Sequence, residues 1–121
     1  QDCCIFHEDH QLIEEDGGKV VLEEASGHAF AERFLSGKAA IHRNHGLFTV
    51  GDTVDAAAFW FIALERCCQS QLLAEAAGTP LLIRQEWASY TQRHIGRPQD
   101  GWLGFQSFWE DILHSDPDLL D

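Results

Sequence analysis

The chain has 121 residues with 8 basic and 20 acidic side chains and a formal charge of −12; 45% of the chain is apolar and 11% is aromatic. That length suits one domain with a packed core, and it excludes a multidomain enzyme or a disordered acidic tail. The acidity argues against nucleic acid or an anionic membrane as partner, because both recruit clustered Lys and Arg. No apolar run approaches the about 18–20 residues of a spanning helix, and the N-terminus lacks the layout of a signal peptide. A sequence that opens on Gln1 and contains no methionine reads as a piece of a longer product.

In chain order, Cys4 to Ile13 reads as a strand, followed by the acidic run Glu14-Glu15-Asp16, a Gly17-Gly18 connection and a second short strand, Lys19 to Leu22. Ser26 to Leu35 has helical spacing in Ala29, Phe30, Arg33 and Phe34, with Gly37 as a stop. Ala39 to Arg43 reads as a buried strand, Asn44-His45-Gly46 as a tight connection, and Leu47 to Val50 as a strand ending at Gly51. Asp52 or Thr53 then caps the longest helix, with Asp55 in its first turn, and Gly78 with Pro80 closes it. From Ala56 to Leu64 that helix is apolar on nearly every side, which calls for cover on two faces: a sheet on one and another subunit on the other. Gln85 to His94 reads as a helix broken by Gly96-Arg97-Pro98. Gly101-Trp102-Leu103-Gly104-Phe105 reads as an aromatic loop or short extended segment, and Phe108 to His114 as a final amphipathic helix.

The four cysteines form two adjacent pairs, Cys3-Cys4 and Cys67-Cys68, without zinc-knuckle or redox spacing, and this usage points to the cytosol. A cross-link between the pairs stays open. His7 and His10 stand three apart in a strand-like stretch, whereas a zinc-protease helix needs two histidines four apart. Cys3, Cys4, His7 and His10 are too crowded in sequence to shape a tetrahedron. Tyr90 fits packing better than acid catalysis, and Glu65 and Glu75 fall on different faces of their helix. His45 is different: on a tight turn at a strand end, beside a glycine that lets backbone approach closely, it is placed to project an imidazole into a cleft. A turn histidine satisfied by a backbone carbonyl would show the same pattern, and one histidine does not make a metal site.

The run Ala40-Ile41-His42-Arg43-Asn44-His45-Gly46-Leu47-Phe48-Thr49-Val50-Gly51-Asp52-Thr53, continued through Glu65-Arg66-Cys67-Cys68-Gln69 to Gly78, resembles the class II aldolase/adducin family. Gln1 to Phe6, the Gly101–Gln106 stretch and Pro117-Asp118-Leu119-Leu120 extend the resemblance over most of the chain. The resemblance implies an α/β fold: a three-layer α/β/α arrangement around a largely antiparallel sheet, of which residues 1–121 would be only the C-terminal portion. It further implies tetramers with active sites between subunits and a divalent metal, typically zinc, held by three histidines. Two come from a His-x-His motif absent from this sequence, and the third maps onto His45. The implied chemistry is Lewis-acid stabilisation of an enediolate from a small hydroxy-carbonyl substrate, in a cytoplasmic homo-oligomer with no nucleic-acid or membrane partner. The piece alone would then be inactive. Adducins share the Arg-Asn-His-Gly run without being enzymes, so a non-catalytic interaction and oligomerisation module is the alternative. The compact acidic ending at Asp121, in place of a basic low-complexity tail, favours the metal-dependent branch.

Overall fold

The computed structural model of the chain describes residues 2–13, 22–34 and 37–120. A short 3-10 helix, Asp2–Phe6, leads into strand β1, His10–Ile13; helix α1, Glu24–Phe34, is followed by β2, Ala39–His42, and β3, Gly46–Thr49. Helices α2, Val54–Ala77, α3, Gln85–Ile95, and α4, Pro98–Ser115, complete the described chain. The three strands form one sheet in the order β1-β2-β3, with β1 parallel and β3 antiparallel to the central β2.

The central strand is covered on both faces, and its sequence shows why. Ala39 and Ala40 are both completely buried, yet successive strand residues point to opposite faces. Ala39 packs with Ala56, Trp60, Leu64 and Cys67 of α2, while Ala40 packs with Ile13 and with Phe30 of α1. Small residues at these two positions let a helix approach from either side, which produces the α/β/α layering.

Thr53 caps α2, its hydroxyl accepting from the Ala56 amide at 3.1 Å, and Thr49 ties β3 to the same helix by donating to the Ala57 carbonyl at 2.8 Å. The buried face of α2 is Ala56, Trp60, Leu64 and Cys67, spaced one helical turn apart. Part of the second cover that the apolar stretch Ala56 to Leu64 calls for comes from within the chain: helix α4 packs along α2, while Phe61 stays 45% exposed.

Two further expectations are corrected. Of Cys4 to Ile13, only β1 is extended. Cys4, Ile5 and Phe6 are all buried, and three consecutive inward residues suit a tight helical turn against α2 and α3 rather than a strand with alternating faces. The stretch expected as an aromatic loop, Gly101 to Phe105, is helical and continuous with Phe108 to His114 in α4. A Cβ on Gly101 would lie 2.6 Å from the Trp60 ring, and one on Gly104 would lie 2.5 Å from the Phe59 ring, so both glycines serve close helix packing. The Gly17-Gly18 connection and residues 19–21 of the strand expected before α1 lie outside the described residues.

Candidate functional site

The most reactive-looking residue of the sequence, His45, stands at the tip of the β2–β3 turn. The turn is closed by the His45 amide donating to the His42 carbonyl at 3.0 Å. Asn44 has φ +65° and Gly46 φ +127°, and space around Gly46 is open, so a glycine is required there by backbone conformation and not by crowding. His45 is exposed.

The turn also brings His42 under His45. The two imidazoles stack with centroids 4.4 Å apart and planes at 28°. His42, two residues beyond Ala40, lies on the α1 side of β2, with the Phe30 ring at 5.3 Å and the Phe48 ring at 6.1 Å. Phe30 and Phe48 themselves meet at 5.0 Å. His42 is only 2% exposed, and its Nε2 is buried with no hydrogen-bond partner among the described residues. An orphaned buried nitrogen costs about 1–3 kcal/mol, which the apolar neighbours do nothing to offset.

At the other end of β2, Lys38 is built in. Its Nζ donates to Asp9 Oδ2 at 3.1 Å and to the Gly96 carbonyl at 2.6 Å, and lies 4.6 Å above the Trp60 ring. Gln92 donates to the same Asp9 oxygen. Burial pushes the Lys38 ammonium below its usual 10.5, and the Asp9 carboxylate pulls it back. These contacts clamp the residues just before β1 and β2 to the end of α3 and the α3–α4 connection, so this cluster ties the fold together.

The other residues weighed from the sequence stay apart from His45. His10 Nδ1 donates to the Phe6 carbonyl at 2.8 Å, Cys4 is buried in the core, and His94 stacks on Tyr90 at 3.9 Å on the exposed side of α3. Glu65 and Glu75 are exposed. His42 is the residue that motif reasoning passed over. Its signal was its position, one strand period after Ala40 and three residues before His45.

The chain belongs to the class II aldolase and adducin family: residues 1–72 match the model described as Class II Aldolase and Adducin N-terminal domain. It is similar to the decarboxylase NovR of Streptomyces niveus, 45% identical over 119 residues, which is 98% of this chain and 44% of NovR. It is also similar to a 4-hydroxy-3-prenylphenylpyruvate oxygenase/4-hydroxy-3-prenylbenzoate synthase of Streptomyces roseochromogenus subsp. oscitans, 43% identical over 119 residues, 98% of this chain and 43% of that protein. The structure superposes on an L-fuculose 1-phosphate aldolase from Glaciozyma antarctica PI12 with a TM-score of 0.84 at 36% identity, covering 97% of this chain and 43% of the aldolase. The fold is therefore that of the class II aldolases, and the chain spans less than half the length of these relatives.

Class II aldolases generally use a divalent metal. Among the described residues no group of three or more His, Cys, Asp or Glu side chains could hold one. His42 and His45 do not form a chelating pair either. Imidazole lone pairs lie in the ring plane, and two rings stacked nearly parallel do not aim them at one point. At this turn the described residues offer one exposed imidazole, that of His45, and they do not by themselves fit a resident ion.

Proposed function

We propose that the whole protein is a metal-dependent class II aldolase-like enzyme acting on a small hydroxy-carbonyl compound. In this reading His45 gives one ligand to a divalent ion, zinc by preference, and residues outside these 121 give the others. The observation that carries it is the exposed imidazole of His45 on a turn fixed by Asn44 and Gly46, in a chain similar to proteins named as a decarboxylase and an aldolase. Such an ion would supply Lewis acidity toward a substrate carbonyl. The contribution of this chain is positional. Thr49 locks β3 to α2, the Asn-His-Gly turn sets the backbone of His45, and the sheet packed on both faces keeps that turn in place.

The same proposal takes the 121 residues as the C-terminal portion of one aldolase-like domain, in a cytoplasmic homo-oligomer, a tetramer as in the family. The competing placement is the one named in the family model's description, an N-terminal domain, and the sequence of the complete gene product decides between them. No helix among the described residues is long and apolar enough to cross a membrane.

The test is elemental analysis of the complete protein. About one zinc per subunit is expected for wild type and background metal for His45→Ala, since losing one of three ligands removes most of a site's affinity. Equal metal in both proteins would sink the proposal. The isolated 121-residue chain is expected to hold no tight zinc and to cleave no aldol; stoichiometric zinc on it would overturn that part.

A second reading, an adducin-like interaction module, is favoured by exposed apolar residues at the end of α2 and just beyond. Leu72 and Leu73 are 68% and 66% exposed, and Leu81 and Leu82 are 98% and 89% exposed. Metal-free complete protein that still self-associates would support it over the enzyme.

A further inference from the structure

We propose that His42 is a positioning residue for His45, its buried ring forming a fixed platform on which the exposed imidazole rests. The functional consequence drawn below depends on the reading of His45 as a metal ligand. The turn determines where the His45 backbone lies, but an exposed side chain on a turn otherwise samples its rotamers on the picosecond to nanosecond scale. What restricts this one is the stack at 4.4 Å. The platform cannot yield, because His42 is 2% exposed and held against Phe30 and Phe48 at 5.3 and 6.1 Å.

The His42 site is apolar, the ring's Nε2 has no partner among the described residues, and a phenylalanine would avoid the unsatisfied nitrogen. The stack itself needs only a flat ring. A ligand already held in its bound orientation loses less freedom when an ion arrives, which is why groups behind a ligand affect metal affinity about 10–100-fold.

The experiment uses the complete protein with selectively labelled histidines, together with His42→Leu, His42→Phe and His45→Ala. In metal-free wild type, the ring protons of His45 should resonate upfield of those of His28, which is exposed on α1, because the His42 ring shields them. His42→Phe should keep that shielding and His42→Leu should lose it. Zinc affinity, read by chelator competition on proteins with native circular dichroism, should fall about 10–100-fold in His42→Leu and stay at the wild-type value in His42→Phe.

His45 protons at the His28 position in wild type would overturn the inference, and that measurement needs no variant to fold. Undiminished zinc affinity in a folded His42→Leu protein, with affinity lost in His45→Ala, would overturn it while leaving His45 as a ligand. Undiminished affinity in His45→Ala would instead remove the metal reading, and the proton shifts would still decide whether His42 orients His45.

Discussion

Strand β2 has a largely buried polar side chain at each end, and the two are treated in opposite ways. Lys38, just before the strand, is bonded to Asp9 and to the Gly96 carbonyl under the Trp60 ring. His42, the last residue of the strand, has aromatic neighbours on its faces and no partner for Nε2 among the described residues. The first arrangement ties three parts of the chain together at little net cost, since each polar atom finds a partner. The second contributes nothing comparable to the fold and leaves an exposed imidazole oriented. The satisfied group ties the fold together; the unsatisfied one contributes a buried ring beneath a solvent-facing histidine.

That contrast can be broken by substitution, read by chemical denaturation. Removing the roof of the Lys38 cluster with Trp60→Ala should cost about 3–5 kcal/mol, as for other large aromatic truncations in a core. Lys38→Ala should cost about 2–3 kcal/mol, because it leaves the Gly96 carbonyl unpaired and takes the cation away from an Asp9 carboxylate that keeps only the Gln92 hydrogen bond. At the other end, His42→Phe should be neutral or stabilising by up to about 1–3 kcal/mol, since it deletes an unpaired nitrogen. A large loss there would mean that Nε2 has a partner the contrast ignores.

The pH dependence separates the ends further. Asp100, at the start of α4, accepts from the Arg97 amide and guanidinium, each at 2.9 Å, and faces Lys38. The Arg97 hydrogen bonds hold its carboxyl below the usual 3.8, so in the unfolded chain it takes up a proton more readily. Its contribution is therefore fully present above about pH 4 and is lost as pH falls through its folded value. Asp100→Asn should flatten that acid limb, and an unchanged acid limb would show that the pair does not matter to stability. The smallest effect is expected for His45→Ala, within about 0.5 kcal/mol of wild type, as for an exposed residue on a turn.

Much of this was legible in the sequence because it is written in local chemistry. The β2–β3 hairpin, the Thr53 cap, the span of α2 and its Gly78 end follow from turn residues, caps and periodicity that each act within a few positions. The Asn-His-Gly turn singled out His45 for the same reason. The second half of helix α4, Phe108 to His114, was legible and its first half was not. Its Gly101 and Gly104, set among aromatics, look like loop residues until Trp60 and Phe59 are seen pressed against them. The Cys4–Phe6 segment misled in the same way, since only its neighbours show that three successive side chains must all turn inward.

The sequence by itself determined the family, the order of most elements and the one histidine worth attention, because caps, turns and motifs are properties of adjacent residues. Only the tertiary structure decided that α4 covers part of the second face of α2, that Lys38 is a clamp, and that His42 lies buried beneath His45. Those outcomes depend on which surfaces meet across the fold, and no local pattern records the partner that a side chain will find there.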